Sequence, residues 1–240
     1  MKILIFQHLA CETAGVFTEL WTVDGHELHV MALDEGDQIP PLDSYDLLAV
    51  MGGPMDVWQE AEHPWLISEK AAIKHWVQVL NRPYFGICLG HQLLAVSLGG
   101  EVQPMPRPEV GLSQISQTGA GRSDPIFAHL PAEMTTLQWH GVAVTTLPPD
   151  TVVLACNPAC AVQAMRVGRH AYGVQYHLEI LPSTTADGLE AEVAPHLPEF
   201  RRIAEQINQG LKALMDADFH RREGLNCETS GHPECFGIPG

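Results

Sequence analysis

The run "YFGICLGHQLLAVSLGG", Tyr84 to Gly100, constrains the fold more than any other stretch of the chain. "YFGIC" is a short, unbroken apolar segment of strand character. "LGHQLLAVSLGG" follows it with no loop and reads as a helix closed by glycines. A strand that turns straight into a helix belongs to a βαβ path, which builds a parallel sheet between layers of helices. Cys88 stands at the corner, with Gly86 and Gly90 two residues to either side. Small neighbours let the backbone turn tightly, so the cysteine side chain projects at the C-terminal edge of the sheet. G-x-C-x-G is the cysteine counterpart of the hydrolase nucleophile elbow. The helix N-terminus beside the sulfur favours its anion. That help matters, because a free thiol of pKa about 8.5 is only a few per cent ionised at neutral pH.

The same rhythm fills the first hundred residues. "KILIFQH", "HELHVMAL" and "YDLLAVMGG" are strand-like. "ETAGVFTELWTV" and "HPWLISEKAAIKHWVQVL" are helix-like, the latter with apolar residues at helical spacing. The middle changes character. "EVQPMPRPEVGLSQISQTGAGRSDP" is rich in Pro, Gly and Ser, and reads as a flexible surface segment whose Arg107 and Glu109 face a bound molecule's outer half. Four further strand-like runs follow, then the helical "PEFRRIAEQINQGLKALMDADF". The expected organisation is one α/β domain over residues 1–219, with a mixed, mostly parallel central sheet flanked by helices in the flavodoxin-like manner. An irregular tail over 220–240 completes it.

Charge narrows the functions open to such a fold. Thirteen Lys and Arg stand against 29 Asp and Glu, a formal charge of −16. That balance repels phosphate backbones and anionic lipid, so neither nucleic acid nor membrane is an expected partner. No apolar run is long enough for a membrane span, and "MKILIFQHLA" reads as a first strand rather than a signal peptide. The six cysteines are scattered through a long chain, which suits a reducing cytoplasm better than a disulfide framework. His220, Cys227, His232 and Cys235 cluster near the end, but their spacing fits none of the usual zinc patterns. No metal or other cofactor is expected. His91 reads as a helix-surface residue, and Trp58, Trp65 and Trp76 as packing for the helices.

Two more segments carry chemistry. In "AYGVQYHLEI", His177 and Glu179 are two apart and share one face of an extended chain. An imidazole that takes the thiol proton and a carboxylate that orients it complete a nucleophile–base–orienter set. In "LLAVMGGPMDVW", a strand runs into Gly52 and Gly53, whose backbone can approach a substrate closely. Amides there, with that of Leu89, are placed to hold a developing oxyanion.

The order strand-Gly-Gly, G-x-C-x-G, H-x-E resembles the class I glutamine amidotransferases of the Cys-His-Glu type. More narrowly, it resembles stand-alone proteins similar to the amidotransferase domain of GMP synthase. The likeness covers roughly Lys2 to Ile180 and rests on "GICLGHQLLA", "MGGPMDVW", "LQWHG" and "GVQYHLE". It implies Cys88 as nucleophile, His177 as general base and acid, and Glu179 as orienter. It implies Gly53 and Leu89 as oxyanion donors. Gly52, Gln92, His140, Gly141 and Val142 are implied to surround the substrate's amino-acid end. The activity implied is cleavage of the γ-amide of glutamine or a γ-glutamyl compound through a Cys88 thioester, without a cofactor. No synthase domain is expected within 240 residues, and one reading is a glutaminase subunit that passes ammonia to a separate synthase. The alternatives are a self-sufficient γ-glutamyl peptidase or amine hydrolase, and a non-catalytic regulatory protein of the same fold. The sequence departs from the family pattern at Leu178, where many members have proline, and at Val142, where relatives often carry an acid.

Overall fold

In a computed structural model of the chain, residues 1–184 and 188–230 are described, with 225–230 by backbone alone. Nine strands form one sheet in the order β2-β1-β3-β4-β9-β8-β7-β5-β6. These are β1 (Lys2–Gln7), β2 (Glu27–Ala32), β3 (Leu47–Val50), β4 (Tyr84–Ile87), β5 (Glu101–Gln117), β6 (Glu133–Thr146), β7 (Thr151–Cys156), β8 (Ala164–Val167) and β9 (Ala171–Val174). The sheet is parallel from β2 to β9 and antiparallel from β9 to β6. The mixed α/β architecture is therefore as expected, with a larger antiparallel share than the sequence suggests.

Strands β3 (LLAV), β4 (YFGI) and β9 (AYGV) are buried throughout. Their unbroken apolar character follows from having both faces covered. On one face, α1 (Val16–Val23) and α5 (Leu197–Ser230) pack Phe17, Trp21, Phe200 and Ile207 against Ile3, Ile5 and Phe85. On the other, α2 (Trp65–His75) and α3 (Leu89–Ser97) pack Leu66, Ile73, Leu93 and Leu94 against Leu4, Phe6 and Leu48. A short helix, α4 (Glu190–Val193), precedes α5. Register sets the functional edge. Val50 pairs with Gly86, and Ile87 pairs with Val174. The chain segments leaving β3, β4 and β9 therefore emerge side by side.

Three expectations are corrected. The Pro-rich segment is not a loop. It is the start of β5, paired with β6 from Glu101 to Pro104 and again from Glu109, with an irregularity between. Pro106 and Pro108 fall within that irregularity, where the ladder requires no amide donors. Glu109 turns inward, to Asn157 at 2.7 Å and Gln163 at 2.9 Å, while Arg107 remains exposed. The chain after Phe219 is not irregular at its start, since α5 runs on to Ser230. Arg221 and Arg222 pair with Asp218, Arg222 also pairs with Asp46, and Arg221 donates to the Asn81 carbonyl at 2.8 Å. Charge pairing at this turn holds the helix to the body, a long-range effect with no local pattern. Cys227, His232 and Cys235 lie outside the residues whose side chains are described. Finally, His91 is not on a surface. It is wholly buried where α3 crosses β9, so close that a Cβ on Gly173 would lie 2.7 Å from its Nδ1. Trp65 and Trp76 do pack as expected, whereas Trp58 is 47% exposed.

This packing has two measurable consequences. Burial lowers the His91 pKa from 6.5 to about 4. The neutral ring therefore stabilises the fold fully above pH 6.5, and that contribution is lost as pH falls toward 4. Urea unfolding of His91→Gln should lose less stability between pH 7 and pH 5 than the wild type does, and equal losses would contradict the buried neutral ring. Second, truncation after Phe219 removes the partners of Asp218 and Asp46. It should lower Tm by several degrees, from loss of about 1–3 kcal/mol in charged hydrogen bonds. Turnover at 25 °C should stay within about twofold, because no described residue beyond Phe219 reaches the functional edge.

Candidate active site

Cys88 caps α3 with φ 52° and ψ −102°, outside the regions where non-glycine residues usually rest. Such a conformation costs on the order of 1–3 kcal/mol and persists only where its surroundings enforce it. Its amide donates to the Val174 carbonyl at 2.8 Å, tying the corner to β9. The two flanking glycines are steric requirements. A Cβ on Gly90 would lie 2.1 Å from the Val50 carbonyl oxygen, and one on Gly86 would lie 2.6 Å from the Gly90 carbonyl. The elbow is thus pressed against its neighbouring strand by backbone contact alone.

His177 lies beyond the end of β9, where its amide bonds to the Leu137 carbonyl of β6 at 2.8 Å. A single bridge, rather than a regular strand, therefore fixes the spacing of His177 and Glu179. Glu179 Oε1 meets His177 Nδ1 at 2.6 Å, and its Oε2 accepts the Leu178 amide at 2.9 Å. Leu178, in the position of the family's proline, is buried and leaves the pair intact. Burial by itself lowers the His177 pKa. The charges of Glu179 and Cys88, with the hydrogen bond to Glu179, outweigh it and hold the value well above 6.5. With Glu179 on Nδ1, His177 Nε2 is buried without a hydrogen-bond partner, and His177 lines the same cavity as Cys88.

Cys88, His177, Gly53, Gln92, His140, Gly141 and Val142 line one cavity of about 490 Å³. Among the described residues, neither the Gly53 nor the Leu89 amide has a hydrogen-bond acceptor. The Leu89 amide is free because it opens the first turn of α3.

A family model described as glutamine amidotransferase class-I matches residues 17–193. The glutamine amidotransferase-like protein YfeJ of Salmonella typhimurium is 32% identical over 75% of this chain and 76% of its own. The stand-alone GMP synthase (glutamine-hydrolyzing) subunit of Sulfolobus acidocaldarius is 31% identical over 68% of this chain and 81% of its own. Against the longer GMP synthase of Aeropyrum pernix the identity is 36%, over 55% of this chain and only 24% of that protein. A glutamine amidotransferase crystal structure from Methylobacillus flagellatus superimposes with TM-score 0.80, at 23% identity, over 88% of this chain and 94% of that one. This chain is a class I glutamine amidotransferase family member.

The other expected site residues divide. Gln92 is 3% exposed, with Nε2 3.2 Å from Gln175 Oε1 and 3.5 Å from the Val142 carbonyl. It braces the cavity wall as well as lining it. Both nitrogens of His140 are engaged, Nδ1 by the Val142 carbonyl at 2.8 Å and Nε2 by Gln138 and Glu109. That ring shapes the "WHGV" backbone rather than standing free as a second base. A Cβ on Gly52 would lie 2.7 Å from Glu12 Oε2, so the Glu12 carboxylate would have to move aside for a larger residue there.

Three neighbours are not singled out by the sequence pattern. Gln175 Nε2 lies 3.7 Å from Cys88 Sγ and belongs to "GVQYHLE", where an untitratable amide gives no sign of its role. Glu12 follows β1, lines the cavity beside His177, and has its pKa raised by burial, partly opposed by the charge of His177. His8 bonds to Gly52 and Glu69. The signal for the last two is only that both follow the end of a parallel strand, where open α/β sheets place their sites.

The thiols offer a direct check. Cys11 is exposed, whereas burial pushes Cys160 up to about 11. Iodoacetamide at pH 7 should alkylate Cys88 about tenfold or more faster than Cys11, because the N-terminus of α3 and the nearby His177 favour attack by its sulfur. Cys160 should remain unmodified until the protein unfolds. Peptide mass mapping reads all three rates, and His177→Ala should remove the advantage of Cys88.

Proposed function

We propose that the protein hydrolyses γ-glutamyl amides through a Cys88 thioester. The observation that carries this reading is His177, held by Glu179 at 2.6 Å on one nitrogen, with its other nitrogen unpartnered and the ring lining the same cavity as Cys88. The Cys88 thiolate adds to the γ-carbonyl carbon, and the carbonyl π pair moves onto oxygen. The Gly53 and Leu89 amides receive that oxyanion; each such donor is worth roughly 10²–10³ in rate. His177 gives its proton to the leaving nitrogen as the C–N bond breaks, which yields a thioester and free amine or ammonia. Water then adds with His177 as base, the C–S bond breaks, and glutamate leaves.

The cavity of about 490 Å³ favours recognition of the glutamyl half with a tolerant leaving-group side. Its walls near Gly141 and Val142 offer backbone groups to an amino-acid end, and half-exposed Trp58 and Trp139 border it. Substrates lacking the α-ammonium or α-carboxylate would leave those polar groups unpaired at a desolvation cost. Ammonia delivery to a separate synthase is the second reading, supported by the likeness to the stand-alone GMP synthase subunit of Sulfolobus acidocaldarius. The two differ in a simple respect. A self-sufficient hydrolase turns over γ-glutamyl amides as an isolated chain, while a dependent subunit requires its partner. A cytoplasmic setting agrees with both; among the described residues no helix is long and apolar enough to cross a membrane.

Purified protein assayed against glutamine, a γ-glutamyl dipeptide and a γ-glutaryl amide should release product from the first two and not the third. Cys88→Ala should abolish turnover while circular dichroism stays unchanged. His177→Ala should slow acylation by about 10³ or more, and Glu179→Ala by less, since some imidazole remains correctly placed. Turnover that survives Cys88→Ala, or equal use of the glutaryl compound, would overturn the reading.

A further inference from the structure

A second imidazole–carboxylate pair lies beneath the Gly52–Gly53 turn. His8 and Glu69 are both wholly buried, with Nε2 2.8 Å from Glu69 Oε1. The ring stacks on Trp65 at 5.3 Å and 12°, which fixes its plane. Its other nitrogen, Nδ1, lies 2.8 Å from the Gly52 carbonyl oxygen. The Gly52 carbonyl can only accept, so Nδ1 donates to it, and Glu69 beside Nε2 favours the doubly protonated, charged ring. Burial opposes that charge, but Glu69 and the Gly52 carbonyl prevail, and the His8 pKa is raised.

The geometry of one peptide unit gives this pair its consequence. The Gly52 carbonyl and the Gly53 N–H belong to the same trans peptide, so they point in opposite directions across its plane. Glycine on both sides leaves this peptide free to rotate as a unit. A donor that holds the carbonyl to the β1 side therefore turns the Gly53 N–H the other way. Gly53 itself lines the cavity that contains Cys88. A charged donor on the carbonyl also polarises the amide and strengthens its N–H as a donor. The packing is tight as well, since a Cβ on Gly53 would lie 3.0 Å from His8 Cβ.

We propose that His8, charged by Glu69, is a positioning residue that locks the Gly52–Gly53 peptide with its N–H aimed at the developing oxyanion. The inference rests on the reading of Gly53 as an oxyanion donor in amide hydrolysis. His8 touches neither substrate nor sulfur in this scheme. Its effect belongs to the transition state, because the oxyanion exists only there.

The two ring nitrogens allow a discriminating pair of variants. An asparagine amide reaches about as far as Nδ1, and a glutamine amide about as far as Nε2. His8→Asn thus keeps the donor to Gly52, and His8→Gln keeps the contact at position 69 instead. Both are made together with Glu69→Gln, so that no carboxylate is buried without a partner. Turnover is measured with glutamine and γ-glutamyl-p-nitroanilide, using whichever the wild type cleaves faster. His8→Gln should lower kcat about tenfold or more, with KM within about twofold, as expected for weakening one oxyanion donor. His8→Asn should recover most of that loss. Alkylation of Cys88 by iodoacetamide, which forms no oxyanion, should change less than about twofold in both.

Unchanged kcat in His8→Gln, equal losses in the two variants, or alkylation falling in step with kcat would each overturn the proposal. Should either variant fail to fold, a crystal structure of the wild type carrying a γ-glutamyl aldehyde on Cys88 decides. The hemithioacetal oxygen should accept from the Gly53 N–H while His8 Nδ1 remains on the Gly52 carbonyl, and a Gly53 N–H turned away would refute the lock. Wild-type turnover that survives Cys88→Ala, or no turnover of either substrate, overturns the amidase reading and this inference with it. Cys88-dependent turnover that is indifferent to His8→Gln overturns the inference alone.

Discussion

The corner at Cys88 organises the rest of the site. A cysteine with positive φ is strained, and the strain is held by three contacts made with backbone atoms. The Cys88 amide is tied to β9, the Gly90 amide to the Met51 carbonyl at 3.2 Å, and the Gly90 Cα lies against the Val50 carbonyl. Each contact reaches a neighbouring parallel strand or the residue just beyond it. The Cys88 sulfur is therefore located by the sheet itself, and the free amide at the start of α3 comes with it. A larger residue at either flanking glycine would separate α3 from the sheet and move the sulfur.

Buried imidazole–carboxylate pairing recurs around this corner. His177 with Glu179, His8 with Glu69 and His140 with Glu109 all lie near one edge of the sheet. Their environments separate their behaviour. For His177 and His8 the partner charges overcome burial and the pKa is raised, whereas for His140 burial prevails and the pKa is lowered. A buried pair gains little net stability, because desolvation cancels much of the attraction. What such pairs supply is fixed orientation. Glu179 leaves one His177 nitrogen unpartnered, His8 holds one peptide carbonyl, and His140 holds the carbonyl of Val142.

The antiparallel half of the sheet serves a different purpose. β6 contributes Leu137, which anchors His177, and the His140–Val142 wall. β5 contributes Glu109, which ties that wall to Gln163 and Asn157. The parallel half thus carries Cys88 and the glycine turn, while the antiparallel half forms the facing wall of the cavity. Membership of the amidotransferase family accounts for the first half. The open cavity bordered by Trp58 and Trp139 is where the choice of leaving group is made in the proposed hydrolysis.

Local sequence determined the parts whose requirements are local. Apolar strands running into helices gave β1, β3, β4 and α3, and two glycines around a cysteine marked the elbow, because close approach and tight turning leave few residue choices. His177 and Glu179 were legible for the same reason, since an imidazole and a carboxylate two apart share a face. Tertiary structure decided everything that depends on what lies across the sheet. The prolines of β5 suggested a loop because a local reading cannot see a partner strand that tolerates missing donors between Pro104 and Glu109. His91 looked exposed because only the crossing of α3 over Gly173 buries it. His8 and Glu69 are 61 residues apart, and nothing in either neighbourhood announces the other. Their meeting under the Gly52–Gly53 peptide depends on the packing of α2 beside β1, and long-range packing of that kind leaves no short-range pattern in the sequence.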